Sequence, residues 1–112
     1  MNVLFVRSRN QWRSPTPERE FKRIPRIATR SAGTSRSARR RITIGDIRWA
    51  DLILVMEEKH KSQITAGFRA ETRYKQIHVL DIPDDYLFMD PELIALLREK
   101  VAPLIGNTPQ AP

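Results

Sequence analysis

The chain has no cysteine, only four glycines and few aromatic residues (7%) among its 112 residues. The absence of cysteine excludes disulfide bonds and thiolate metal ligands. No apolar run is long enough to cross a bilayer, and Met1 leads directly into an apolar strand, so we expect no signal peptide. We therefore expect a cytoplasmic protein that does not enter a membrane. His60 and His78 stand alone without the spacing of metal ligands, so we expect neither a metal nor another cofactor.

Charge is distributed unevenly along the chain. Residues 1–48 contain 13 Lys+Arg against 3 Asp+Glu, a net charge of +10, whereas residues 49–112 contain 7 against 10, a net charge of −3. The first half therefore attracts anions, which include phosphorylated substrates and RNA. Its most basic segment, residues 35–41, is more typical of a solvated loop than of a specific polyanion site.

Apolar runs alternate with helical patterns along the chain. Four strands are predicted, at residues 3–6, 26–31, 50–56 and 76–80. Helices are predicted to start at residues 14–18, at Thr43, at residue 57 and at Asp90-Pro91, and residues 69–75 read as a connection. The order predicts an α/β fold, a four-stranded parallel sheet with helices on both faces in a three-layer sandwich. We expect one domain over residues 1–105 and a disordered tail over residues 106–112.

The stretch around which the chain is organised is a strand, a short polar loop and a helix start. The strand covers residues 3–6, the loop follows it, and Ser14-Pro15 begins the helix. Backbone N–H groups and the helix macrodipole make this geometry favourable for a phosphate-sized anion. An isolated arginine is usually a surface charge, but Arg13 at the end of this loop is placed to grip two phosphate oxygens with its planar fork. Residues 31–35 and 81–86 also follow strands, so we expect them on the same rim of the sheet.

These motifs carry a family resemblance. Val3-Leu4-Phe5-Val6, six further residues and Arg13-Ser14-Pro15 resemble the amino-terminal signature of the low-molecular-weight protein tyrosine phosphatases, Cys-x5-Arg-Ser/Thr-Pro. Ser31-Ala32-Gly33-Thr34-Ser35 and residues 50–56 resemble later family segments, and Ile82-Pro83-Asp84-Asp85-Tyr86 resembles the Asp-Pro-Tyr loop. The resemblance covers nearly the whole chain and implies a phosphotyrosine protein phosphatase I-like fold.

The resemblance also implies roles for individual residues. In this family a cysteine thiolate attacks phosphorus and an aspartic acid protonates the leaving group, which Asp84 would do here. Arg13 would neutralise the phosphate oxygens and Tyr86 would form a pocket wall. Taken alone, Asp84 reads as a solvated turn residue and Trp12 as a packing residue or pocket wall. The phosphate-binding set implied by the resemblance is Ser8, Arg9, Asn10, Gln11, Trp12, Arg13 and Ser14.

One departure outweighs these agreements, because Arg7 stands where the family has its nucleophilic cysteine. A guanidinium stays protonated and has no nucleophilic lone pair. Ser8 is one residue out of register, and the sequence shows no histidine near it to act as a base. We therefore predict a phosphatase-like protein that is inactive or severely impaired.

Two alternatives to the impaired phosphatase remain. One is a non-catalytic phosphate or phosphopeptide binding module in which Arg7 joins Arg13 as an anion clamp. The other is a nucleic-acid binding module that uses the basic first half, although a recognition motif is missing and few aromatics are available for stacking. The expected ligands are phosphate, sulfate or a phosphorylated tyrosine, with nucleic acid less favoured.

Overall fold

The computed structural model describes residues 1–8, 21, 27–83 and 90–105. In this part of the chain the strands form one parallel sheet with the order β2-β1-β3-β4. The strands are β1 (Asn2–Arg7), β2 (Ala28–Gly33), β3 (Leu52–Val55) and β4 (Gln76–Val79). The helices are α1 (Ile44–Trp49), α2 (Glu58–Gly67), α3 (Arg69–Thr72) and α4 (Pro91–Val101). The predicted α/β fold with a four-stranded parallel sheet is confirmed.

The two faces of the sheet carry separate apolar clusters. Val3 and Phe5 of β1 pack with Phe21 and with the buried leucines of α4. Leu4 and Val6 pack on the opposite side with residues of α1 and α2. Successive side chains of a strand point to opposite faces, so one apolar run supplies both clusters. All four of these β1 side chains are at most 1% exposed, which is typical of a parallel strand covered on both sides.

The predicted helix starts at Thr43 and Asp90 are confirmed. The side chain of Thr43 accepts a hydrogen bond from the Asp46 N–H, and the Asp46 carboxylate accepts one from the Thr43 N–H at 3.0 Å. This reciprocal capping box satisfies two N–H groups that a helix start leaves unpaired. The side chain of Asp90 accepts from the Glu92 N–H, and Pro91 occupies the first turn of α4.

The connection predicted over residues 69–75 contains the short helix α3, which the sequence reading missed. The Thr72 N–H donates to the Phe68 carbonyl at 3.0 Å, and the Thr72 hydroxyl donates to the same carbonyl at 2.8 Å. The buried threonine thus closes one helical turn with its side chain as well as its backbone. A single turn of this kind leaves no apolar period in the sequence from which to predict it.

Two other predictions concern parts of the chain that the structure does not cover. The predicted helix start at residues 14–18 and the predicted tail at residues 106–112 lie outside the described residues, although Phe21 is helical. The single domain over residues 1–105 stays a prediction. In the part of the chain that is described, no helix combines the length and apolar character needed to cross a membrane.

Candidate functional site

The order of the strands defines where a ligand would bind. From β1 the chain goes to β2 on one side, and β3 lies on the other side of β1. In open parallel sheets, ligands bind at the carboxyl ends of the two strands that flank such a reversal. Here these ends are Arg7, the last residue of β1, with Ser8 after it, and Met56 and Glu57 after β3, just before α2.

Arg7 ends β1 opposite Gly33 of β2. The Arg7 carbonyl accepts the Thr34 N–H at 2.9 Å, and the Ser8 carbonyl accepts the Ser35 N–H at 2.8 Å. The segments that follow β1 and β2 therefore remain paired beyond the sheet. Arg7 is only 6% exposed. A buried guanidinium is costly unless its donors are satisfied.

Ser8 is joined to His60, the third residue of α2. The Ser8 Oγ lies 2.9 Å from His60 Nε2, and the Glu57 N–H donates to His60 Nδ1 at 3.0 Å. The imidazole is fully buried. It therefore connects the segment after β1 with the segment after β3, at the reversal of strand order.

The hydrogen bond from Glu57 determines which nitrogen of His60 carries the proton. A backbone N–H can only donate, so Nδ1 must be the unprotonated acceptor. In the neutral ring the proton is then on Nε2, which donates to Ser8 Oγ. A base that takes the serine proton needs a free lone pair on that nitrogen. In this tautomer the Nε2 of His60 is the donor and has no free lone pair.

The prediction that no histidine lies near Ser8 is wrong. Ser8 and His60 are 52 positions apart in the sequence, but parallel strands β1 and β3 are neighbours and their carboxyl ends meet. The sequence carried one signal for this contact, since each residue directly follows or nearly follows an apolar strand. The strand order was needed to use that signal.

On the β2 side of the rim lies the basic loop, residues 35–41. Arg40 donates to the Ser31 carbonyl at 2.6 Å and to the Asp46 carboxylate at 2.5 Å. Arg30 also contacts Asp46, at 3.4 Å, and its guanidinium covers the Trp49 ring at 4.2 Å. Asp46 is 2% exposed, so these contacts hold the loop through a buried carboxylate. The side chains of Arg36, Arg39 and Arg41 are exposed.

On the β4 side the chain approaches the rim just before residue 84. Residues 80–82 continue beside β3, since the Leu80 N–H donates to Val55 and the Ile82 N–H donates to Met56. Asp81 has a φ of 56°, a left-handed conformation that aspartate tolerates better than most residues. Lys100 of α4 donates to the Leu80 carbonyl at 2.8 Å and fixes this turn. An open pocket of about 390 Å³ next to it is lined by Glu57, Glu58, Lys59, Asp81 and Pro83.

Of the predicted site residues, Arg7 and Ser8 are described, and both lie at the carboxyl end of β1. The others lie outside the described residues, and their roles stay predictions. These are Arg9, Asn10, Gln11, Trp12, Arg13, Ser14, Asp84 and Tyr86.

Comparison with known proteins gives structural likeness only. Neither a scan against models of protein families nor a search of curated proteins found a match. Solved structures do match over almost the whole chain. The tyrosine phosphatase Wzb from Escherichia coli K30, in complex with phosphate, matches with a TM-score of 0.71 and 24% identity over 88% of this chain and 91% of Wzb.

Two further solved structures are similar to this chain. The arginine phosphatase YwlE, as a cysteine-to-serine mutant with a phosphorylated active-site serine, has a TM-score of 0.70 and 22% identity, covering 95% of this chain and 97% of YwlE. A low-molecular-weight phosphotyrosine phosphatase from Vibrio cholerae O395 has a TM-score of 0.71 and 19% identity, covering 94% of each chain. The chain therefore has the fold of the low-molecular-weight protein tyrosine phosphatases.

Proposed function

We propose that this chain is a phosphatase-like protein that binds a phosphate monoester beyond the carboxyl end of β1 and hydrolyses it slowly or not at all. The observation that carries the proposal is the buried Arg7, which ends β1 in a chain without cysteine. The fold supports a ligand at this point, because β1 and β3 flank the reversal of strand order. Wzb, which has the same fold, was crystallised with phosphate.

Loss of hydrolysis follows from the chemistry of the side chain at position 7. In-line displacement at phosphorus needs an anionic nucleophile, and a guanidinium supplies five N–H donors and no lone pair. Ser8 does not replace the thiolate, because its histidine neighbour donates to it rather than accepting its proton. Arg7 instead contributes positive charge, which favours binding of a phosphate dianion over its turnover.

The remaining parts of the proposed site come from the resemblance. Arg13 would grip two phosphate oxygens, and the loop from Ser8 to Ser14 would supply the backbone N–H groups. Asp84 would be the general acid and Tyr86 a pocket wall. The proposed ligands are phosphate, sulfate or a phosphorylated tyrosine side chain. The fold is shared by tyrosine phosphatases and an arginine phosphatase, so it does not choose between phosphotyrosine and phosphoarginine.

The test is hydrolysis of a simple aryl phosphate in mildly acidic buffer by the parent, Arg7→Cys and Arg7→Ala. We expect no measurable turnover by the parent or by Arg7→Ala, and a gain of roughly a thousandfold or more for Arg7→Cys, because a thiolate restores covalent catalysis. Arg7→Ala is the matched control, since it removes the arginine without adding a nucleophile. A parent as active as Arg7→Cys would overturn the proposal.

A second candidate function is nucleic-acid binding by the basic loop, favoured by the exposed Arg36, Arg39 and Arg41. One contact argues against it. One face of the Trp49 ring, an aromatic beside this network, is already covered by the Arg30 guanidinium and is not open for base stacking. RNA binding that weakens steeply with salt, and that Arg36→Ala and Arg41→Ala reduce, would favour this candidate. No binding at low salt would exclude it.

A further inference from the structure

We propose that Arg69, Arg73 and Tyr74 form a docking site for an acidic segment of a partner protein. Tyr74 directly precedes Lys75 and the start of β4, so it lies at the amino ends of the parallel strands. The candidate functional site lies at their carboxyl ends, on the opposite edge of the sheet. The docking site is therefore independent of the proposed function, and a partner bound there leaves the rim open.

Tyr74 is the most exposed large apolar or aromatic side chain in the described part of the chain. It is 86% exposed, whereas Met1 and Ile44 are 46% and 39% exposed. The Arg73 guanidinium lies 5.5 Å from the centre of the tyrosine ring. A ring in this position adds nothing to the core, and tyrosine and arginine are both enriched among the residues that dominate binding at protein interfaces.

The turn that carries Tyr74 is fixed on both sides. Before it, the Thr72 hydroxyl donates to the Phe68 carbonyl at 2.8 Å, and the Thr72 carbonyl accepts the Lys75 N–H at 3.1 Å. After it, the Lys75 ammonium donates to the Ala50 carbonyl at 2.5 Å. Because the backbone on both sides is held, little conformational freedom is lost when a partner binds the ring.

The cations around the ring differ in whether they are already paired. Arg48 contacts Glu71 at 3.6 Å, and the Lys75 ammonium is bound by two backbone carbonyls. Arg69 and Arg73 are exposed, and neither has a carboxylate partner among the described residues. They are four positions apart at α3, so they lie on one face, where like charges repel each other. Carboxylates of a partner relieve this repulsion and accept two hydrogen bonds from each guanidinium.

The same pairing favours a protein over a nucleic acid. A single-stranded nucleic acid is held by a row of cations along its backbone. Here the Lys75 ammonium and the Arg48 guanidinium are engaged within the chain, and the Glu71 carboxylate adds negative charge beside them. Two arginines beside one exposed ring instead match a few carboxylates and an apolar side chain, which a short acidic segment supplies.

The test is the binding of two dye-labelled peptides, measured by fluorescence anisotropy at low salt. One peptide has glutamates on both sides of a single leucine, and the other has glutamines in place of the glutamates. We expect the parent to bind the glutamate peptide roughly tenfold more tightly than the glutamine peptide, with an affinity that falls as salt is added. No binding of the glutamate peptide at low salt would overturn the inference.

Matched variants locate the bound peptide. Arg69→Ala with Arg73→Ala removes two positive charges from the docking site, and Arg36→Ala with Arg41→Ala removes two from the basic loop. We expect the first double variant to bind the glutamate peptide roughly tenfold more weakly, and the second to bind it within about twofold of the parent. Equal losses would show a general attraction to a positively charged chain and would overturn the inference.

Tyr74→Ala and Tyr74→Phe test the ring. We expect the alanine variant to bind roughly tenfold more weakly and the phenylalanine variant to bind like the parent, because the ring packs against the leucine. Unchanged affinity of Tyr74→Ala would overturn the inference. Since the side chain is exposed, the thermal midpoint of Tyr74→Ala should match that of the parent. A large fall in this midpoint would assign the ring to the stability of the turn and would also overturn the inference.

A third probe distinguishes the two kinds of partner. Single-stranded DNA of thymidines, titrated under the same conditions, should bind more weakly than the glutamate peptide and should not respond to Tyr74→Ala. Tighter binding of the DNA, with a loss in Tyr74→Ala, would make this surface a nucleic-acid site and would overturn the inference.

Discussion

Among the described residues, two buried polar clusters lie near the same rim, and they satisfy their hydrogen bonds differently. Around Asp46 the partners are Thr43, Arg40 and Arg30, which surround one carboxylate and fix a helix start and the basic loop. Around His60 the partners are Glu57 and Ser8, which belong to segments after two different strands. The first cluster closes on itself, whereas the second joins the segments that follow β1 and β3. The comparison teaches that a buried polar side chain must be paired, and that the position of its partners along the chain decides whether it holds neighbouring segments or joins the ends of two strands.

The largest expected effect on stability comes from removing the carboxylate at the centre of the first cluster. Asp46→Ala loses the capping box and charge-assisted bonds, and we expect the free energy of unfolding to fall by about 2–4 kcal/mol. The two arginines are 41% and 45% exposed, so water partly replaces their lost partner and keeps the cost in this range.

Urea unfolding measures the Asp46→Ala effect, and Asp46→Asn is the matched variant. The amide keeps one oxygen for the Thr43 N–H but loses the charge that attracts the arginines. We expect it to cost about half as much. Equal losses for the two variants would mean that the charge, rather than the cap, supplies the stability.

A smaller effect on the free energy of unfolding is expected from removing Arg40, one partner of Asp46 in the same cluster. Arg40→Ala removes the bonds to Asp46 and to the Ser31 carbonyl, and we expect a loss of about 1–2 kcal/mol. Arg36→Ala, in the same exposed loop, is the control and should lie within about 0.5 kcal/mol of the parent. If Arg40→Ala and Arg36→Ala lowered the free energy of unfolding equally, the basic loop would not be held through Asp46.

The smallest effect tests whether the clusters are independent. Their described contacts share no residue, so the stability losses of Asp46→Asn and His60→Asn should add to within about 0.5 kcal/mol in the double variant. Unfolding of the two single variants and the double variant gives this coupling. A larger coupling would show that the clusters act as one network, and the contrast between them would fail.

The helix starts show how much a local pattern predicts. Thr43 and Asp90 were predicted as caps because a short polar side chain before an apolar period bonds to N–H groups two or three residues ahead. α3 was missed because its turn is closed by the hydroxyl of Thr72, a contact that leaves no period in the sequence. Local rules therefore predicted elements whose partners are near in the chain.

The candidate site was predicted unevenly for the same reason. The sequence indicated the loop after β1, the missing cysteine at Arg7 and the order of strands and helices, because all of these depend on residue type and spacing along the chain. Its one signal for the contact between His60 and Ser8, that each residue follows an apolar strand, could not be used without the order of the strands in the sheet. Fifty-two positions separate these residues, and only the adjacency of β1 and β3 brings them within 2.9 Å.

The sequence by itself thus determined the α/β class, the burial of β1 on both faces and the absence of a thiol nucleophile, since period, apolarity and composition act locally. Tertiary structure alone decided the order β2-β1-β3-β4, the closure of the Asp46 cluster and the partner of His60. These features depend on which strand ends meet, and that is settled when the whole sheet buries its two apolar faces.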